Sequence, residues 1–321
     1  MEARPPRTEP ETTRAVRLHA YGEAPRIDEI RAPSDPGPGE LIVDVAAFGV
    51  GAWDVGVAAG RLAKLLPCAA PPFTMGAELC GKVCALGGGI EGFEIGDRVM
   101  ANPGLIGAWA DRVLLRASDC GRAPRRASDA EAATIPVRSL AAWQGLERLG
   151  LSSGASLLIV GGGGAVGRAA VEIAHGRGLR VLTIAGPGEL DTLRQLGAEV
   201  AVDYHEEWPP RIRSAASGDV DAALDLVGGE SLEKALRLVR DGGRVVSTVA
   251  SESGVEAPPG IAFELLKMKS SRAALDAIAD LVDAGGLSTR IAGRYALQDT
   301  PAALDAARAP DREPGEIVLH R

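Results

Sequence analysis

The sequence predicts an α/β protein in which a doubly wound parallel sheet is inserted into a β-rich domain. Three observations predict it. Residues 156–174, SLLIVGGGGAVGRAAVEIA, read as a strand, a glycine turn and a helix. Strand and helix patterns then alternate as far as residue 249. A last strand pattern, at 316–319, follows the final helix and needs a sheet to join.

Residues 1–13, MEARPPRTEPETT, mix Arg, Glu and Pro with no apolar run. They read as a disordered tail rather than a signal peptide. Residues 15–19 and 41–46 read as strands, separated by the turn-rich stretch 33–40. Residues 73–86 and 98–100 continue this β texture, with turns at 87–89 and 96–97. Near Ser128 the texture becomes helical, at 129–134 and 140–149.

The run 157–160 is short, apolar and rich in branched residues, which fits a parallel strand buried on both faces. After Gly161, Gly162, Gly163 and Gly164 comes a helix over 165–175, with Val166, Ala169, Ala170 and Ile173 on one face. Further strands are expected at 180–184, 200–202, 222–226 and 244–249. Helices are expected at 190–196 and 231–239, with a weaker one near 210–216. Such alternation implies a parallel sheet covered on both sides. A loop at 251–260, a helix at 273–284, a short strand, a helix at 300–307 and the strand at 316–319 complete the chain. The simplest home for that last strand is the N-terminal β-domain. A cleft then lies between the domains, a usual place for a small-molecule site.

A chain of 321 residues can bury two cores. The 35 Lys and Arg against 43 Asp and Glu give a net charge of −8, which argues against a nucleic-acid protein. No apolar stretch reaches membrane-spanning length, so a soluble, cytoplasmic protein is expected. Cys68, Cys80, Cys84 and Cys120 form no C-x-x-C pair and do not cluster with histidines. They read as small packing residues in a reducing compartment. His19, His175, His205 and His320 are scattered and read as surface or capping residues.

Gly161, Gly164 and Gly167 stand three apart. This spacing presents main-chain N–H groups at a helix N-terminus, where no side chain blocks a diphosphate and the dipole favours negative charge. Glycine-rich turns also close ordinary loops. Here the preceding strand and the following helix supply the context of a dinucleotide site. NAD-binding domains usually place an acid about 20 residues on, at the end of the second strand. That strand ends Ile184-Ala185-Gly186, with no carboxylate, which leaves room for a 2′-phosphate.

Seven segments then carry a family resemblance: 36–50 (PGPGELIVDVAAFGV), 76–99 (GAELCGKVCALGGGIEGFEIGDRV), 107–115 (GAWADRVLL), the glycine turn, 225–229 (DLVGG), 241–247 (DGGRVVS) and 315–319 (GEIVL). In these the chain resembles the medium-chain dehydrogenase/reductase superfamily, in its zinc-free quinone oxidoreductase and enoyl reductase-like branch. The resemblance implies a GroES-like domain over 14–128, a Rossmann domain over 129–260, and a return segment over 261–321 that completes the first domain. It also implies a homodimer and a small-molecule substrate. Relatives usually have a longer segment near 263–271 that adds a strand at the dimer edge, so any dimer here is expected to be built differently.

The same resemblance frames the cofactor. Zinc-using members carry a Cys after the strand ending near Val50 and a His before the Glu of a G-x-E motif. Here those places hold Gly51 and Ala77, and only the short stretch 101–107 lies where a four-cysteine zinc lobe would be. Catalytic zinc needs three converging ligands, so no metal is expected. Tyr204 matches a Tyr of NADPH-binding relatives, while their Lys has no counterpart in the shorter PGELD segment; Arg194 is either its substitute or a surface residue. NADPH is thus expected over NADH. Its expected contacts are Gly163, Gly164, Ala165, Val166, Ala185, Gly186, Tyr204, Val227, Thr248 and Val249.

Related quinone oxidoreductases read N-P-x-D or N-F-x-D after the second long strand, and this chain reads Gly51-Ala52-Trp53-Asp54. A Tyr found two residues later in some relatives is Gly56. Trp53 is either a wall for a flat substrate or a core residue. Asp54 reads as a helix N-cap before it reads as an acid. Arg138 either stabilises an oxyanion or pairs with a carboxylate at the domain junction. Ala141 replaces a Thr that some relatives set beside the nicotinamide, and Trp109 and Trp143 are expected in the core. The leading reading is an NADPH-dependent reductase of a conjugated carbonyl, either a quinone or an α,β-unsaturated ketone or thioester. The alternatives are a redox-silent cofactor-binding protein, or a lyase or cyclase on the same fold.

Overall fold

The computed structural model describes residues 12–66, 70–249, 255–309 and 313–321. Cys68, most of the expected tail and part of the expected loop at 251–260 lie outside the described residues. The N-terminal half holds β1 (Thr12–Leu18), β2 (Arg26–Arg31), β3 (Glu40–Val50), α1 (Ala52–Ala58), β4 (Phe73–Thr74), β5 (Leu79–Leu86), β6 (Arg98–Ala101), β7 (Arg112–Arg116) and β8 (Cys120–Arg122). The helices α2 (Asp129–Ala132) and α3 (Pro136–Leu149) lead into β9 (Ser156–Val160), α4 (Ala165–Gly176), β10 (Arg180–Ala185), α5 (Leu190–Gln195), β11 (Val200–Asp203) and α6 (Trp208–Ala216). Then follow β12 (Val220–Asp225), α7 (Gly229–Leu236), β13 (Val239–Ser247) and β14 (Ala262–Leu265). The chain closes with α8 (Arg272–Ala284), β15 (Ile291–Ala296), α9 (Thr300–Arg308) and β16 (Glu316–His320).

The strands β11-β10-β9-β12-β13-β14 form one sheet in that order, each pair parallel. This is the doubly wound Rossmann order, whose direction reverses between β9 and β12. Leu157 and Ile159 face one core, while Leu158 and Val160 face another on the opposite side. Both faces are covered, which is why the strand reads as a continuous apolar run. The other main sheet runs β15-β16-β3-β5-β6-β8, with β7 also pairing β3. The last strand lies antiparallel to β3, with Ile317 opposite Val50. The chain therefore returns to its GroES-like domain, as the sequence implies. One core crosses the junction: Ala47, Cys80, Met100 and Val318 of the β-domain pack with Ala132, Leu146 and Ile159.

Local chemistry sets the helix ends that matter here. Pro136 opens α3, where its missing N–H costs nothing, and Gly150 ends it at φ 63°. Ser271 caps α8 by accepting the N–H of Ala274 at 3.3 Å.

Several expectations need correction. Thr12 and Thr13, placed in the tail, belong to β1. The run 73–86 is broken between β4 and β5, and β2 and β7 are additional strands. The parallel sheet extends past residue 260, because β14 pairs β13. Strand β14 thus forms the edge of this sheet, just before the short segment that leads into α8.

Candidate active site

The end of β9 and the start of α4 build one half of the site. Gly161, at φ 90°, and Gly162 both donate their N–H to the Ile184 carbonyl, at 3.1 and 3.0 Å. This ties the turn to β10. A Cβ at Gly162 would stand 2.1 Å from Thr183 Oγ1, and one at Gly167 would stand 2.2 Å from the Gly161 carbonyl oxygen. These two glycines let helix and strand approach. Gly164 differs: its Cβ would meet nothing closer than 3.7 Å. Gly164 caps α4, so the N–H groups of Ala165, Val166 and Gly167 in the first turn have no intrahelical acceptor.

Apolar side chains rim this cradle. Tyr204, Val227 and Val249 are 52%, 56% and 43% exposed. Each follows the carboxyl end of a parallel strand, where ligands of open α/β sheets bind. Tyr204 donates its N–H to the Ala185 carbonyl at 3.1 Å, and its ring stacks on His205 at 3.9 Å. Buried Asp225 fixes the other two. Its Oδ1 accepts the N–H groups of Val227 and Gly228, at 3.1 and 2.9 Å, and its Oδ2 accepts Ser247 Oγ–H at 2.6 Å. Ser247 Oγ in turn accepts the Val249 N–H at 3.2 Å, and Thr248 donates to the Asp225 carbonyl at 3.0 Å. A dinucleotide needs a wall free of side chains for its diphosphate and an apolar rim for its rings. Gly164 provides the first, and Val227 and Val249 provide the second, so the residues fit such a cofactor.

The domain junction supplies the other half. Gly51, not Asp54, is the N-cap of α1; Asp54 sits in the first turn and accepts the Gly51 N–H at 2.9 Å. Burial pushes the Asp54 carboxyl up to about 7. Glu78, the acid of the G-x-E motif, accepts the Val137 N–H at 2.8 Å. Burial pushes it up to about 8; the charges of Asp54 and Glu316 add to this, and Arg138 opposes it. Arg138 is 5% exposed and donates to the carbonyls of Thr134 and Ser288, at 3.0 and 2.8 Å. Thus Asp54 and Arg138 share Glu78 as an electrostatic neighbour. Trp53 is half-buried and donates its indole N–H to the Leu105 carbonyl at 2.7 Å.

Two other tryptophans part ways. Trp109 is fully buried and donates to the Gly49 carbonyl at 3.1 Å. Trp143, expected in the core, is only half-buried, with Arg177 4.6 Å above its ring. Gly56, the place of a Tyr in some relatives, packs under Leu62, whose Cδ1 would lie 2.7 Å from a Cβ there. A larger side chain needs the Leu62 side chain to shift. Gly51 and Ala77, at the places where zinc-using relatives carry ligands, offer no side-chain donor atom.

Sequence reasoning did not assign Glu78, Arg168, Glu189, Asp225, Ser247 or Glu316 a role. Glu78, Asp225, Ser247 and Glu316 lie inside segments that carry the resemblance, which was the available signal. Arg168 donates to the Gly163 carbonyl at 2.7 Å and to Glu316 at 3.2 Å.

Comparison with known proteins agrees with this fold. Residues 37–142 match the alcohol dehydrogenase GroES-like domain, and residues 165–280 match the zinc-binding dehydrogenase family. The chain is 33% identical over 317 residues to erythronolide synthase EryA2 of Saccharopolyspora erythraea, a match covering 95% of this chain and 8% of that protein. It is 32% identical over 218 residues to the 2-methylene-furan-3-one reductase of Solanum lycopersicum, covering 63% of this chain and 53% of that one. The chain thus spans about half the length of the tomato relative and a small part of the synthase. An alcohol dehydrogenase superfamily protein from Novosphingobium aromaticivorans has the same fold, with a TM-score of 0.88 at 25% identity, covering 97% of this chain and 100% of that one. The chain belongs to the medium-chain dehydrogenase/reductase superfamily. That superfamily binds a nicotinamide cofactor, and the glycine turn with its apolar rim is where this chain would hold it.

Proposed function

We propose that the protein is a metal-independent reductase of a conjugated carbonyl: a quinone, or an α,β-unsaturated ketone or thioester. The observation that carries this reading is the open cradle at Gly164, rimmed by Tyr204, Val227 and Val249, in a chain whose zinc positions hold Gly51 and Ala77. The name of the Solanum lycopersicum relative, a 2-methylene-furan-3-one reductase, supports the substrate class.

Gly163, Gly164, Ala165 and Val166 bind the diphosphate through main-chain N–H groups. Ala185, Gly186 and Tyr204 bound the adenosine end, and Val227, Thr248 and Val249 line the way to the junction. When bound, the reduced nicotinamide supplies the hydride; the protein supplies position and charge. Trp53 stands as a wall for a flat substrate, its ring fixed by Leu105. Asp54 holds a proton near neutral pH and is the candidate store for the proton that completes reduction. Arg138 keeps the buried carboxyls of the junction in balance. For the cofactor form, the acid-free end of β10 and Tyr204 support NADPH. The outer edge of β14, which no described strand covers, supports a homodimer.

The test is loss of reduced-nicotinamide absorbance with a panel of quinones, enones and enoyl thioesters. Turnover with at least one class is expected. Binding without turnover across the whole panel overturns the reading. A redox-silent protein is the second reading, favoured by Gly51 and Gly56 where relatives carry polar side chains. Product formed while the cofactor stays reduced would point instead to a lyase or cyclase.

A further inference from the structure

Helix α4 carries an arginine where its own dipole opposes one. A cation is unfavourable near the positive end of a helix. Arg168 lies one turn in from the Gly164 cap, and that first turn holds no acid. Helical side chains lean toward the N-terminus, so Arg168 reaches back to the glycine turn. It donates to the Gly163 carbonyl at 2.7 Å. Its side chain is only 11% exposed, so it stands behind the cradle rather than in it.

Two carboxylates share this guanidinium. Glu316 of β16 stands 3.2 Å from it and Glu189 stands 3.6 Å from it. Residues Pro187–Glu189 form a 3-10 turn after β10. This turn lays Glu189 against the glycines, where a Cβ on Gly163 would stand 2.9 Å from Glu189 Cγ. Glu189 Oε2 is shielded from solvent and has no hydrogen-bond partner, so the charge of Arg168 is what answers it. Glu172, one turn further along α4, puts a third carboxylate in the field of Arg168, and Arg138 faces that one as well. Behind the bare main chain, these acids outnumber the cations.

We infer that Arg168 is a positioning residue of the cofactor cradle: it cancels the charge of Glu189 and Glu316 and holds the Gly163 carbonyl, so that a diphosphate meets N–H groups rather than acids. This rests on the cofactor reading above. Arg168 does not touch the ligand; it acts through the groups that it neutralises. Charges shielded from water are screened little and act at longer range than exposed ones. Without Arg168, two carboxylates and a carbonyl oxygen stand unanswered beside the place of the diphosphate, and like charge repels. The pairing also accounts for acids this close to an anion site.

The experiment measures binding of ADP-ribose and of adenosine by isothermal titration calorimetry. Wild type, Arg168→Met, Arg168→Lys and Glu189→Gln are compared, with circular dichroism as the control for folding. ADP-ribose carries the diphosphate and adenosine lacks it. Arg168→Met is expected to lose at least tenfold in ADP-ribose affinity. Arg168→Lys, which keeps the charge, is expected to lose no more than threefold. Glu189→Gln keeps Arg168 and removes one acid, so it is expected to bind ADP-ribose at least threefold more tightly. That variant carries the test if Arg168→Met does not fold. Adenosine affinity is expected to change less than twofold throughout. Three results overturn the role of Arg168 while leaving the cofactor site in place: equal losses for ADP-ribose and adenosine, Arg168→Lys as weak as Arg168→Met, or no gain in Glu189→Gln. If folded wild type binds no ADP-ribose, the cofactor reading falls and this inference falls with it.

Discussion

Arg168 on α4 and Glu316 on β16 form an ion pair at 3.2 Å, joining the helix of the glycine turn to the strand that returns the chain to the β-domain. Each residue is 9% exposed. Removing Arg168 leaves the Glu316 carboxylate buried without its cation, which costs about 3 kcal/mol or more, whereas removing Glu316 leaves Arg168 with Glu189 at 3.6 Å. Arg168→Met should lower stability by that order in urea denaturation, and Glu316→Ala by less. The double variant Arg168→Met, Glu316→Leu should lose less than the sum of the single changes. Strict additivity would show that the pair does not fasten the junction.

Ser247 and Asp225 predict a coupled loss. Ser247→Ala removes the hydroxyl that Asp225 Oδ2 accepts at 2.6 Å and that the Val249 N–H reaches at 3.2 Å. A buried acceptor left unsatisfied costs about 1–3 kcal/mol. The melting temperature should fall and dinucleotide affinity should drop severalfold together, because one network sets both turns of the rim. A drop in stability with unchanged affinity would separate them.

The junction acids predict a pH dependence. Asp54 and Glu78 are raised in the folded protein to about 7 and about 8, by burial first. Their unfolded values lie near 4. A raised carboxyl contributes stability that is fully present below the unfolded value and is lost as pH rises through the folded one. Melting temperature should therefore decline between about pH 5 and pH 9 from these two groups. Glu78→Gln should flatten that decline and be relatively more stable at the alkaline end. A variant whose profile parallels wild type would contradict the assignment.

Gly167 predicts a structural failure. Its Cβ would lie 2.2 Å from the Gly161 carbonyl oxygen, a backbone atom that cannot rotate away. Gly167→Ala should cost about 1–3 kcal/mol through overpacking between α4 and the turn. Chemical denaturation measures it; a cost near zero would mean that helix and strand are not in close contact.

Much of the parallel sheet was legible because its signals are local. A strand buried on both faces is an apolar run, and the glycines mark its end, so 156–174 could be read directly. The half-exposed edges were harder. RIDEIR of β2 and AFEL of β14 carry charges or too few residues to show a buried face. The strand expected at 244–249 starts earlier, since β13 runs from Val239 through Asp241, Gly242 and Gly243. At the site, the glycine cradle is read from the spacing together with the strand before it and the helix after it. Glu78 did not, because its burial depends on α3 packing over β5's leading edge, where Val137 donates to it.

The central claim is that bare main chain at Gly164 receives the diphosphate of a reduced dinucleotide. Titration of Gly164→Val beside wild type tests it most directly, since a side chain there points into open space and φ is an ordinary −72°. The account predicts an unchanged melting temperature and affinity for reduced dinucleotide lowered at least a hundredfold. A folded Gly164→Val that binds as tightly as wild type would contradict it.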